Sequence, residues 1–307
     1  MKKIIEKLAR HIPCLKDLFL ELDRLKKKER TDNWAPPGHF YSPIPSIDEV
    51  KARENELFSD QPKEIQGINL NEQEQLALFD KFKEYYKEQP FSADKTPHLR
   101  FFFDNSAYSY SDGIILHCMI RHLKPKRIIE IGSGYSSCAI LDTNELFFDN
   151  GIDCTFIEPY PQLLQSLIKP SDKSSIKIIQ KKLQDVELDI FRNLEERDIL
   201  FIDSTHVSKI GSDVNYFFFK ILPTIKGGVN IHFHDIFYNF EYPKEWIYEG
   251  RAWNENYLLR AFLQYNPAFE IIYFNSFLEH HHTEKFAREM PLCLKKSGGA
   301  SIWLKKV

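Results

Sequence analysis

Between Arg127 and Ser137 the chain reads RIIEIGSGYSS, an apolar β-branched run that ends in an acid and passes into two glycines one residue apart. Ile128, Ile129 and Ile131 suit a buried parallel strand, and Gly132 and Gly134 permit a tight turn and a close approach of backbone to a ligand. Ser136 and Ser137 can then open a helix. Strand, glycine turn and helix in that order constrain the fold more than any other stretch, because open α/β sheets hold nucleotide-type cofactors at such a turn. A G-x-G also occurs in ordinary turns, so the reading depends on what surrounds it.

The surroundings repeat the pattern. A helix through DGIILHCMIRHL, capped by Ser111, feeds the strand at 127. Thr155–Ile157, SIKIIQKKLQDV, DILFIDSTHV and GGVNIHFHDIF supply further strands, with helices near 136–146 and at PQLLQSLI and an amphipathic stretch at DVNYFFFKILPTI between them. Strands alternating with helices at this spacing predict a parallel, doubly wound α/β sheet. The tail adds a helix at NENYLLRAFLQY and strands at FEIIYF and ASIWLKK. Between those last strands FNSFLEHHHTEKFAREMPLCLKKSGG is expected to be helix-poor, which lets the final strand insert antiparallel; its His280, His281 and His282 are expected on an exposed loop.

Ahead of this lies an extension. Ile5, Leu8, Ile12, Leu15, Phe19 and Leu22 form an apolar stripe on a helix restarted at Pro13 and running to Arg30, expected to pack on the main domain or on a second copy, with anchoring on an anionic membrane surface as the alternative. The segment TDNWAPPGHFYSPIP, with four prolines, predicts an extended strap. Residues 46–90 read as helical, with Asn71 as a cap and Leu76, Phe79, Phe82 and Tyr86 on one face. The expected organisation is a helical and proline-rich extension over 1–104, serving as cap, oligomerisation element or substrate cover, and a catalytic domain over 105–307.

Composition excludes several classes. A chain of 307 residues, 43% hydrophobic and 28% charged, can bury one large core with appendages. A net charge of -3 offers no electrostatic reason to expect nucleic acid. Five cysteines without C-x-x-C spacing argue against a disulfide framework and fit a reduced, cytoplasmic compartment. No run approaches the 18 apolar residues of a membrane span, and charges at Glu6, Lys7 and Arg10 interrupt any signal-peptide core.

In an open parallel sheet, ligand groups gather beyond the carboxyl ends of the strands. Here those ends carry Glu130 and the glycines, Glu158, Gln184 with Asp185, Asp203 with His206, and His234 with Asp235. Through EIGSGYSS, IEPYP, IDSTH and HFHDIF the chain resembles the class I S-adenosylmethionine-dependent methyltransferases over roughly residues 105–306. The resemblance implies a Rossmann-like sheet of seven strands with the last antiparallel. It also implies a cofactor site in which Glu130, Gly132 and Gly134, with Tyr135 and Ser136, hold the methionyl part, Glu158 the ribose hydroxyls and Asp185 the adenine neighbourhood, Asp203 closing the site.

Within that class the chain is similar to the metal-assisted O-methyltransferases of catechol and macrolide-sugar type. The likeness implies His206, three positions after Asp203, as the base, and Asp203, His234 and Asp235 as ligands of a divalent cation such as Mg²⁺. A histidine at 234 replaces an oxygen ligand, which departs from what Mg²⁺ prefers. The expected reaction is methylation of a hydroxyl on a small molecule or glycan, His206 removing the proton as the methyl group transfers. Each residue also has a plainer reading: His206 as a cap of the helix that follows, His232 and His234 as core histidines. The alternatives for the whole chain are a non-catalytic partner of the same fold and an NAD-dependent oxidoreductase, the latter disfavoured by Ser137 where a third glycine would stand.

Overall fold

The computed structural model describes residues 17, 18, 20–22, 24, 34–59, 62–296 and 298–307. The N-terminal helix expected up to Arg30 lies mostly outside them; 17, 18, 20–22 and 24 are helical. By internal contacts the chain divides into two compact units, residues 1–60 with 244–252 and residues 61–243 with 253–307.

The larger unit is built on a seven-stranded sheet in the order β3-β2-β1-β4-β5-β7-β6. Its strands are β1 (Arg127–Ile131), β2 (Asp153–Ile157), β3 (Lys177–Ile179), β4 (Ile199–Ile202), β5 (Asn230–His234), β6 (Phe269–Phe274) and β7 (Ser301–Lys306). The first five run parallel, and β7 enters antiparallel to both β5 and β6. This is the expected α/β, doubly wound arrangement. The central strands β1 and β4 are nearly all buried, as apolar runs covered by helices on both faces must be.

Register fixes the site. Ile131 pairs with Ile157 and with Ile202, and Ile202 pairs with Phe233. Gly132, Glu158, Asp203 and His234 therefore follow on one row at the carboxyl edge, each the first residue past its neighbour's pairing partner.

Helices account for the expected faces, with corrections at their ends. The Glu72–Lys87 helix buries Phe79 and Phe82, with Leu76 and Tyr86 partly buried beside them. Asn71 stands at its N-cap, its carbonyl accepting from the Gln75 N–H at 3.0 Å, but makes no side-chain capping bond: its backbone is left-handed and its side-chain amide donates to the Ile271 carbonyl at 3.1 Å. Ser111 likewise does not cap the Tyr110–Leu123 helix, since its hydroxyl lies inside the first turn and bonds to buried Glu279.

The segment between β6 and β7 departs most from expectation. It is not helix-poor: it folds into helices Asn275–His281 and Thr283–Glu289 and a 3₁₀ turn at Pro291–Leu294. Buried Phe277, Leu278, Phe286, Met290 and Cys293 recur at helical spacing, a period that the polar His280–Glu284 stretch obscures in the sequence. The three histidines therefore lie at a helix junction instead of on a loop, and His282 Nε2 bonds to Glu72 Oε1 at 2.8 Å.

In the smaller unit, Ile47–Ala52 is capped by Ser46, whose hydroxyl accepts from the Glu49 N–H at 3.4 Å. Glu54, opening the short Glu54–Phe58 helix, accepts from Lys244 Nζ at 2.9 Å and Tyr248 Oη at 2.6 Å. The proline-rich strap is compact where an extended one was expected: residues 36–43 form turns, the Gly38 N–H reaches the Ile44 carbonyl at 3.0 Å, and Trp34, Phe40 and Tyr41 are exposed. Among the described residues no helix is long and apolar enough to cross a membrane.

Candidate active site

The glycine turn sits directly against the β4 loop. Gly132 has φ +79°, and a Cβ added there would lie 2.1 Å from the Asp203 carbonyl oxygen. The glycine is thus required by the packing of two strand ends, a stronger reason than ligand approach, and it brings the turn and Asp203 together. Gly134 is different. Its φ of 179° is open to any residue, and a Cβ would meet Leu163 Cδ2 at 3.3 Å, so its missing side chain leaves room beside the turn.

Glu130 faces inward. It is fully buried, its Oε1 accepting from Ser136 Oγ and its Oε2 from Ser137 Oγ, each at 2.5 Å, while Ser137 Oγ accepts from the Gly134 N–H at 3.1 Å. Burial raises its carboxyl to about 8 against the two serine bonds. Both oxygens are spent on the turn and on the start of the Tyr135–Phe148 helix. Glu130 and Ser136, expected against the methionyl part, also brace the turn itself. Tyr135 stands at the first helical position, partly exposed and edge-on to Phe102.

Glu158 follows β2, half-buried, with Oε1 accepting from the Tyr160 N–H at 2.8 Å. Asp185 ends a 3₁₀ turn, Leu183–Asp185, and is exposed.

The acidic and histidine groups converge. His206 is 5% exposed, with Nε2 3.4 Å from Asp203 Oδ1 and 3.5 Å from Asp235 Oδ2. Asp203, His206 and Asp235 each offer a ligand atom, and these atoms lie within 4.8 Å of one another. His234, expected as a ligand, borders the same carboxylates: its Nδ1 is 3.5 Å from Asp203 Oδ1 and 3.8 Å from Asp235 Oδ1, and its Nε2 is 3.8 Å from Asp112 Oδ2. The compact group contains His206 in place of His234. His232 takes the plainer role: fully buried, stacked on Phe201 at 3.9 Å, with Nε2 3.4 Å from Tyr108 Oη.

Electrostatics follow from this crowding. Burial pushes His206 down, but its hydrogen bonds to Asp203 and Glu255 win and raise it to about 10. Burial opposes charge on His234 as well, yet the Asp235 and Asp203 charges hold it well above its ordinary value. Asp203, disfavoured as an anion by burial, is held well below the usual carboxylate range by the His234 charge and by hydrogen bonds with His206 and His234. Asp235 is raised by burial. Imidazoles protonated against carboxylates are the charge balance of a place that accepts a cation, since a divalent ion would displace those protons. The buried His234 Nδ1, 3.5 Å from Asp203 Oδ1, borders the same place.

One partner of His206 is missing from the sequence-based set. Glu255, 1% exposed, opens the Glu255–Leu263 helix, and its Oε2 lies 2.7 Å from His206 Nδ1 and 2.9 Å from Ser204 Oγ. The His206 carbonyl accepts from the N–H groups of Asn254 and Glu255 at 3.0 and 3.2 Å. His206 does not cap the helix that follows it; Ser212 does, accepting from the Asn215 N–H at 3.1 Å. An acid in the first turn of a tail helix carries no local signal of such a contact.

The glycine turn braced by a buried acid stands beside an acid–histidine cluster at the carboxyl edge of a sheet with an antiparallel last strand. Residues 129–236 match the family model of a methyltransferase domain. An uncharacterised protein of Archaeoglobus fulgidus is 36% identical over 169 residues, 53% of this chain and 75% of that protein. Among solved structures, the S-adenosylhomocysteine-bound Podospora anserina methyltransferase PaMTH1 aligns at 16% identity over 85% of this chain and 94% of its own, with TM-score 0.42. TomG of Streptomyces achromogenes, an O-methyltransferase in complex with S-adenosylmethionine, aligns at 14% identity over 84% and 96%, with TM-score 0.42. Residues 129–236 thus form a methyltransferase domain, and the resemblance of its motifs implies S-adenosylmethionine as the methyl donor.

Proposed function

We propose that this enzyme methylates a hydroxyl group of a small molecule or glycan, with His206 as the base. The observation that carries the reading is the contact between Gly132 and the Asp203 carbonyl, which sets the donor-binding turn beside the Asp203, His206 and Asp235 side chains. Methyl transfer from sulfonium to oxygen needs the oxygen to lose its proton, so a proton acceptor must stand next to the donor; Asp203 and Glu255 favour the protonated imidazole, and His206 acts as that acceptor only after giving its own proton up, so turnover should rise with pH. Glu255 on Nδ1 directs Nε2 of His206 toward Asp203 and Asp235, where an acceptor hydroxyl would lie.

The remaining roles follow from position. The Gly132–Tyr135 turn offers backbone and space to the methionyl end, with Glu130 holding that turn in shape. Glu158 is placed to accept hydrogen bonds from the ribose diol, and exposed Asp185 to border the adenine. The N-terminal stretch 1–104 we assign to acceptor recognition, and the chain to a reducing, cytoplasmic compartment, in keeping with the buried free thiols of Cys118, Cys138, Cys154 and Cys293.

A divalent cation held by Asp203 and Asp235 would acidify the acceptor hydroxyl and orient it. The three-atom grouping favours a second reading of His206, as a nitrogen ligand of that cation. Such a donor set suits Mn²⁺ or another transition metal better than Mg²⁺. The two readings separate by experiment. Hydroxylated acceptors are screened for release of S-adenosylhomocysteine, and Mn²⁺ affinity is measured by calorimetry for wild type and His206→Ala. As base, His206 is dispensable for Mn²⁺ affinity but not for turnover; as ligand, it is needed for both. Full turnover in His206→Ala removes both.

A further inference from the structure

We propose that Glu255 is the positioning residue of His206, clamping both its imidazole and its backbone from the first turn of the Glu255–Leu263 helix. The inference deepens the reading of His206 given above and rests on it for its catalytic meaning, though not for its geometry.

Three observations carry it. Glu255 is 1% exposed, far more deeply buried than a helix-opening acid needs to be for capping, and its Oε2 accepts from His206 Nδ1 at 2.7 Å and from Ser204 Oγ at 2.9 Å. The His206 carbonyl takes the N–H groups of Asn254 and Glu255, two of the donors that a helix start leaves without internal partners. His206 itself has φ +59°, a left-handed backbone that a non-glycine residue holds only where its surroundings over-determine it.

These bonds are that surrounding. They tie residue 206 to a helix 49 residues further along the chain through side chain and main chain together. The Trp253 ring, 4.3 Å from the imidazole, restricts its rotation. With Nδ1–H committed to Glu255, the nitrogen facing Asp203 and Asp235 is Nε2, whichever task it performs there. An acid behind a working histidine fixes its tautomer and direction, and loss of such a partner typically costs about 10- to 100-fold.

The test uses full-length protein with ¹⁵N-labelled histidine, saturated with S-adenosylhomocysteine and free of acceptor. Wild type is expected to show a slowly exchanging Nδ1–H resonance that disappears in His206→Asn and is thereby assigned. In Glu255→Gln that resonance should be lost or exchange rapidly, while S-adenosylhomocysteine affinity is retained. An unchanged resonance in Glu255→Gln overturns the proposal. Should that variant fail to fold, wild type decides alone, because absence of a protected Nδ1–H on His206 overturns the clamp as well. The readout needs no turnover. If His206→Ala methylates normally, the base reading falls and the clamp stands; if the resonance is indifferent to Glu255, the clamp falls and the base reading stands.

Discussion

At the scale of single residues, the site is recognisable by what it costs. His206 and Asp235, the residues on either side of the cluster, both adopt left-handed backbone, at φ +59° and +57°. Non-glycine residues held there cost about 1–3 kcal/mol each, a strain typical of functional positions. Asp235 is also a carboxylate that burial raises, facing the His206 imidazole at 3.5 Å. Replacing it by asparagine removes a charge but keeps the shape, so Asp235→Asn should bind S-adenosylhomocysteine as wild type does. It should also lose Mn²⁺ affinity by about 100-fold, some 2.7 kcal/mol. Calorimetry on both ligands checks this, and undiminished Mn²⁺ affinity would remove Asp235 from the cation site.

At the same scale the sequence reveals its limits. Asp203, His206, His234 and Asp235 were legible because each follows a predicted strand, and strand ends of an open sheet converge. Glu255 was not, because its contact with His206 depends on where a distant helix starts. Glu130 was legible as important, but its bonds to Ser136 and Ser137 were not. An acid before two glycines gives no sign of whether it faces ligand or the serine hydroxyls beside it.

At the scale of elements, the two glycines of the turn separate folding from binding. Gly132→Ala drives a Cβ to 2.1 Å from the Asp203 carbonyl at a position with φ +79°. It should destabilise the protein by about 3 kcal/mol or more, read as a loss of denaturation midpoint. Gly134→Ala requires no backbone strain and meets only a movable leucine methyl within 4 Å. It should keep near wild-type stability while weakening S-adenosylmethionine binding by about tenfold or more, since the methyl group enters the space beside the turn. Unchanged S-adenosylmethionine affinity in Gly134→Ala would show that this glycine does not border the donor. The strands and most helices were legible through periodicity. The helices between β6 and β7 were not, because a polar histidine run sits at their junction and hides a continuous apolar face.

At the scale of the molecule, buried ionisable groups set how stability responds to pH. Burial raises Glu130 and Glu279 to about 8, above an ordinary glutamate near 4.5. Between those values the folded state keeps protons that the unfolded chain has released, so stability falls as pH rises through the window. His206, raised to about 10, acts in the same direction: its contribution is complete below the ordinary histidine value near 6.5 and is lost as pH approaches 10. Thermal midpoints should therefore decline from pH 7 to pH 9, above the range in which His117 and His232, both lowered by burial, work in the opposite direction, and Glu279→Gln should flatten the lower part of that decline. A midpoint that rises with pH over this range would contradict the burial of these groups.

If methyl transfer takes place at the cluster beside the glycine turn, His206 is needed for turnover and not for holding the donor. On a hydroxylated acceptor that wild type methylates, the His206→Ala variant should turn over about 10²- to 10⁴-fold more slowly, with S-adenosylhomocysteine affinity measured in the same preparation unchanged. Turnover equal to wild type, with the donor bound normally, would contradict it.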